Sequence, residues 1–179
     1  MAQVGLKNLY YAKMESDTAS GTTYASPVKL GNAISVDLNP TVNRGQLYGD
    51  DMAVAANTSL GEITVTIETT DIPLKDKAIL LGHTYDSETS TLTATGSDSA
   101  PYVALLFESE KHDGGTRCIK LYKGKFALTQ ETINTRGENI EYQTPSIEGI
   151  FVTRESDGKW KTERDFAEGS DTSSWYTTV

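Results

Sequence analysis

From Glu62 to Thr70 the chain reads EITVTIETT, with Ile63, Val65 and Ile67 alternating against Glu62, Thr64, Thr66 and Glu68. A period of two belongs to an extended strand with one dry face and one wet face. The next stretch, DIPLKDKAILLG, changes period: Pro73 can open a helix, Leu74, Ala78 and Leu81 recur at helical spacing, and Gly82 can end it. Proline at the start and glycine just past the end are the usual punctuation of a short helix. It is the one helix the pattern predicts.

The rest of the chain reads as strands. YVALLF, residues 102–107, is continuously apolar, as a central strand covered on both faces would be. Asp113-Gly114 marks a hairpin into RCIKLY, and Gly124 in YKGKF marks a further turn before FALTQ. IEYQT and SIEGIFVTR are strand-like, and Asp157-Gly158 turns the chain into WKTERDF. Near the start, LKNLYYAKM and NAISVDL are strands separated by the Ser/Thr/Gly-rich ESDTASGTTYASP. Two segments fit neither period: residues 39–61 and residues 85–101. The second is low in complexity and is expected as an exposed loop with a short strand at STLTA. The first keeps apolar residues at Val42, Leu47, Tyr48, Met52 and Val54, which a flexible linker would not need. Connections this long are usually functional.

Composition narrows the function. With 179 residues, one domain is expected, carrying a polar tail over residues 167–179; the 24 threonines favour strands. A net charge of -9 argues against a surface built to grip phosphates. No apolar run reaches membrane-spanning length and the start lacks the pattern of a secretory signal, so a soluble chain made in the cytoplasm is expected. Cys118 is the single cysteine, which leaves no internal disulfide and no multi-cysteine zinc site. It is expected to be buried.

Candidate chemistry is thin. His83 and His112 are expected in exposed loops, and neither a nucleophile elbow, a P-loop nor a G-x-G-x-x-G run occurs. The acidic pairs Asp50/Asp51, Glu108/Glu110 and Glu138/Glu141 are expected by coincidence among 25 acidic residues. Asp98 with Asp86 and Glu88 could trap calcium, although the spacing is not that of an EF-hand. In LYGDD, Gly49 and the two aspartates make a turn anchored by Leu47 and Tyr48. No catalytic residue, cofactor or metal is assigned.

The order of features resembles a known family over almost the whole chain. VGLKNLYYAKM, KLGNAISVDLNP, an LYGDD turn, a short apolar segment, an alternating Thr/Val strand and a helix ending LLG follow one another as in the major tail proteins of long-tailed bacteriophages of Gram-positive bacteria. The resemblance implies a mainly β fold, an antiparallel β-sandwich with one short flanking α-helix and a long inter-subunit loop. It further implies a virion protein, assembled in the host cytoplasm, whose hexameric rings stack into a tail tube for DNA ejection. Its partners would be other copies of itself, a tape measure protein, a tail terminator and distal tail proteins, with double-stranded DNA passing through and no membrane contact. Residues 39–61 map to the stacking arm, with Val42, Leu47, Tyr48, Asp50, Asp51, Met52 and Val54 at the contact. Glu62, Thr64, Thr66 and Glu68 map to the lumen wall. The competing reading is a monomeric sandwich that binds carbohydrate or protein through Trp160 and Trp175.

Overall fold

The computed structural model describes residues 2–49, 52–135 and 142–179, the side chains of 47–49 and 52–56 excepted. The described chain is mainly β. Its strands are β1 (Lys7–Thr18), β2 (Gly21–Tyr24), β3 (Val28–Lys29), β4 (Ala33–Gly49), β5 (Met52–Thr69), β6 (Thr84–Asp86), β7 (Thr91–Thr93), β8 (Val103–Glu110), β9 (Thr116–Ala127), β10 (Ser146–Val152) and β11 (Lys161–Phe166). One α-helix, α1 (Leu74–Leu81), and a 3-10 turn at Ser173–Tyr176 complete it.

The antiparallel fold expected from the sequence is present, but its layers belong to one nine-stranded sheet. The strand order is β2-β1-β8-β9-β10-β5-β4, with β3 on β1 and β11 on β9. β6 and β7 form a separate pair. Residues from both ends of the large sheet meet in one core, where Leu9 and Tyr11 of β1 join Ile63, Val65 and Ile67 of β5. β9 divides its partners: Thr116–Leu121 pair with β11, and Lys123–Ala127 pair with β10.

The predicted strand at 62–70 is the body half of β5, with Ile63, Val65 and Ile67 fully buried. β8 is covered on both faces, as its apolar run requires. Val103, Leu105 and Phe107 enter the main core, while Leu106 packs with Cys118 and Trp175 on the other side. The cover is the C-terminal segment. The polar tail expected over residues 167–179 thus lies on its own sheet through Trp175 and Tyr176.

Several expectations are corrected. Gly124 makes no turn; it lies within β9, opposite Phe151 of β10. A Cβ there would stand 2.3 Å from the Phe151 ring, so glycine serves the close approach of an aromatic side chain. The Ser/Thr-rich stretch after Met14 is not a loop, because β1 continues to Thr18 and turns into β2. Of IEYQT, the described residues Tyr142–Thr144 are not in a strand. Of residues 39–61, the described stretches 39–49 and 52–61 lie in two paired strands in place of a loop.

α1 runs where predicted, ending at Gly82 in the left-handed region (φ 75°). Its orientation differs. Leu74 is half exposed, while Asp76, Leu80 and Leu81 turn inward with Ala78. The cause is a hydrogen bond from the Tyr11 hydroxyl to Asp76 at 2.8 Å, which fixes the first turn of the helix to β1. Burial, followed by the Asp76 carboxylate, pushes the Tyr11 phenol above its ordinary range. At the far end, the His83 amide bonds the Ala78 carbonyl at 2.9 Å and completes the cap.

Gly124→Ala tests the Phe151 contact. Forcing a methyl group into that rigid ring should cost about 1–3 kcal/mol, read as a lower denaturant midpoint, and Phe151→Leu in the same chain should recover part of the loss. An unchanged midpoint for Gly124→Ala would contradict the packing described.

Candidate functional site

The sheet has an outer face whose middle, among the described residues, nothing covers. It spans β9, β10, β5 and β4, and the registers align its side chains in rows. One row is Lys125, Ile150, Thr64, Asn39; the next is Ala127, Glu148, Thr66, Asp37; the third is Ser146, Glu68, Ser35. Glu62, Thr64, Thr66 and Glu68 therefore do share one face, exposed or half-buried, opposite the buried Ile63, Val65 and Ile67. Asp37 and Glu148 stand beside Thr66 and add two carboxylates that the sequence reading did not assign. Alternation in NAISVDL and SIEGIFV marks both as wet-face positions, but only the strand register sets them beside Thr66.

The cations on this face sit at its β9 margin and are already engaged. Lys123 bonds Asp17 at 2.6 Å, and Lys125 bonds Ser99 at 3.2 Å, both near the Tyr102 ring. What the middle presents is hydroxyl and carboxylate. A surface so lined repels phosphate. Asp17 anchors the margin: besides Lys123, it accepts from the Thr22 hydroxyl at 2.9 Å and from the Glu155 amide at 3.0 Å. Burial raises its pKa, but the Lys123 ammonium, the Glu155 amide and the Thr22 hydroxyl outweigh burial and hold it at about 2.

The second feature is a projecting ribbon. β10 pairs with β5 only from Ile63 to Glu68, whereas β4 follows β5 out to Met52. Residues 52–62 thus pair with β4 alone, and at about 3.3 Å per residue they extend the hairpin roughly 35 Å beyond the body. Pro40 is tolerated because β4 is an edge strand, and because the register shifts just beyond it. In that shift Pro40 lies opposite Ile63 and Val42 opposite Leu60, so β5 carries one extra residue.

The bulge absorbs that residue and keeps one face continuous, although Leu60 and Ile63 stand three positions apart. Val36 and Leu38 of β4 pack on the core, and Val42, of the same parity, lies across from Leu60. The core-side stripe therefore runs out onto the ribbon, where Val42 is 47% exposed and Leu60 42%. Arg44 and Thr58 follow on the same face, also exposed. The remaining arm residues fall in two groups: Asp50 and Asp51 lie outside the described residues, and so do the side chains of Leu47, Tyr48, Met52 and Val54. Glu138 and Glu141 are likewise outside.

The structure does not bring the suspected chemistry together. Glu108 and Glu110 separate: Glu110 pairs with Lys7 at the surface, while Glu108 is buried and, among the described residues, has no cation partner. Glu108 accepts from Asn8 at 2.7 Å, Tyr176 at 3.0 Å and Thr172 at 3.2 Å, which ties the C-terminal segment to the sheet. Trp175 is buried against Phe166, its ring edge-on at 6.2 Å, and Tyr10 stacks on Tyr176 at 4.7 Å. A buried Trp175 is no stacking platform for sugar; Trp160 packs partly buried against the main core.

His83 is not an exposed loop histidine. Its ring is 5% exposed and its Nδ1 lies 2.7 Å from Asp98. Asp98 also takes the Thr95 hydroxyl and amide, and these bonds, then His83, hold its pKa at about 2. Asp86 bonds the Glu88 amide and the Thr89 hydroxyl in its own turn. Among the described residues no three His, Cys, Asp or Glu side chains converge to hold a metal. His112 is exposed, as expected. Cys118 is buried, and burial, then Glu108, push its thiol up to about 12.

A family model described as phage tail tube protein matches residues 37–155, about two thirds of the chain. The match takes in the ribbon, the uncovered face, the helix and β10. No curated protein matches the chain.

The Asp17 anchor makes a pH prediction. Its folded pKa of about 2 lies below the ~3.9 of a free aspartate, so its stabilisation is complete above pH ~4 and is lost as pH falls towards 2. Asp17→Asn should lower stability at pH 7 by about 1–2 kcal/mol, the scale of a charge-assisted hydrogen bond. Denaturant titrations of both proteins should show that gap closing between pH 4 and pH 2; a constant gap would refute the assignment.

Proposed function

Since the chain belongs to the phage tail tube protein family, a structural and non-enzymatic family of the virion tail whose members assemble into a tube, we propose that it stacks as hexameric rings around a DNA conduit. The observation that carries this reading is the pair of unsatisfied surfaces. An isolated two-stranded ribbon is marginal in water, and this one also exposes an apolar cross-strand pair. Cover from other copies removes both liabilities.

The uncovered face supplies the lumen. Glu62, Thr64, Thr66 and Glu68, joined by Asp37 and Glu148, would give a wall of hydroxyls and carboxylates along which DNA slides without adhering. β4 is a long edge strand, and pairing it with a neighbouring subunit would remove the open edge that otherwise invites irregular association. Ring closure in this way places the acidic rows of all subunits side by side. The ribbon would then reach the adjoining ring, with residues 39–61 as the stacking arm. A tape measure protein inside the tube, and a terminator and distal tail proteins at its ends, would be the other partners. Assembly would take place in the host cytoplasm.

Electron microscopy of the concentrated protein should show hollow tubes or rings; monodisperse monomers under every assembly condition would sink the proposal. Deleting residues 42–58 should leave a folded subunit, with a cooperative denaturant transition, that no longer elongates, and normal tube growth by that variant would remove the arm from its role. Glu62→Lys with Glu68→Lys should permit tubes but reduce genome delivery, whereas wild-type delivery would mean that these residues do not face the DNA.

A further inference from the structure

A groove of ≈ 470 Å³ lies between α1 and the segments 127–133 and 143–147. Its walls mix polar residues with three exposed aliphatic side chains: Leu74 is 49% exposed, Leu128 72% and Ile133 86%. Single exposed aliphatics need no explanation, but three on one concave surface mark a place that something covers. Charge enters through Asp71, which is exposed, and through Glu131, which pairs with Lys77 across the groove.

The position of the groove in the fold points to its occupant. β5 carries the chain from the ribbon tip towards Thr69, and the groove wall begins two residues later at Asp71. Ser146 and Ile147, also in the wall, pair with Glu68 and Ile67 at the same end of β5. The groove and the ribbon are thus at opposite ends of one strand pair. Two complementary surfaces at opposite ends of a subunit make a head-to-tail contact, which is heterologous and propagates indefinitely when it does not close.

The chemistry matches as well. The ribbon offers the exposed Val42–Leu60 pair and, about 7 Å farther along the same face, Arg44. Among the described residues Arg44 makes no ion pair, while the groove holds Asp71 and Glu131. We infer that the groove beside α1 receives the projecting ribbon of a second copy of this chain, with Leu128 and Ile133 covering Val42 and Leu60 and with Arg44 set against Asp71 or Glu131. The inference rests on the stacked-tube reading and adds the receiving surface to it. It also gives a reason for the outward turn of Leu74: the Tyr11–Asp76 bond that rotates the helix presents this leucine to the groove.

The test is chemical cross-linking in assembled tubes. Cys118 is buried, so cysteines introduced by Arg44→Cys and Ile133→Cys are the reactive ones. Both positions are exposed, and within one subunit they lie at opposite ends, too far apart for a short bis-maleimide to join them. The doubly substituted chain should give a ladder of covalent multimers. Equimolar tubes of the two single variants should give dimers and no longer products. Ile133→Asp, at a position 86% exposed, should leave the fold intact and shorten or abolish tubes. Tubes that form without ribbon-to-groove cross-links, or Ile133→Asp tubes of wild-type length, would overturn this inference alone. Failure of the unmodified protein to form tubes would overturn the tube reading, and this inference with it.

Discussion

The ladder between β4 and β5 is the constraint on which the rest of the subunit depends. Over its inner half it is one layer of a packed sheet, held on the far side by β10 and beneath by the core. Over its outer half it has only itself. The same hydrogen-bond pattern therefore does two jobs: it completes the fold where side chains are buried, and it carries an unburied ribbon outwards where they are not. Because antiparallel partners exchange backbone bonds whatever their side chains, the ribbon needs no apolar core to hold its register. It does need cover, because its stripe of core-side residues continues into solvent.

Two regions of the sheet's outer face are treated differently. Near β1, β8 and β11 the outer face is closed by Trp175 and Tyr176, and the closure is specific because Glu108 is buried among neutral donors. A buried carboxylate without a counter-ion is costly unless hydrogen bonds replace its water; Asn8, Thr172 and Tyr176 replace it from two separate parts of the chain. Near β5 and β4 the outer face is left bare and acidic. One sheet thus has a sealed outer region beside an open one, divided at β9, where the strand changes partner.

What the sequence revealed follows from what burial imprints on it. The Ile63/Val65/Ile67 alternation and the unbroken run at 102–107 were legible because a covered face demands apolar residues at fixed spacing. The helix was legible from its ends, but its inward side was not: the Tyr11–Asp76 bond spans 65 positions, and no local pattern announces it. Gly124 looked like a turn because glycine is permissive, whereas here it makes room for a ring 27 residues away. Residues 39–61 resisted assignment for a related reason. Those with described side chains, 39–46 and 57–61, bury little within their own chain, so neither period is written into them, and only the resemblance to the tail proteins marked the segment as an arm. The acidic face was half legible, since Glu62 and Glu68 stood in the clearest strand while Asp37 and Glu148 came from strands whose register the sequence could not supply.

The extra residue of β5 between Leu60 and Ile63 has a consequence for how such a chain can vary in length. A strand keeps its faces only while the count between fixed points is preserved. Insertions that lengthen both ribbon strands equally beyond this point extend the reach and leave the apolar side where it was. A regular ladder that kept both Gly61 and Glu62 would turn the outer ribbon over and send Leu60 to the side of the acidic rows, whereas loss of the bulge together with one of these residues would leave Leu60 opposite Val42. Reach can therefore drift between related chains in matched steps, while the bulge itself is a fixed reference mark from which every outward position is counted.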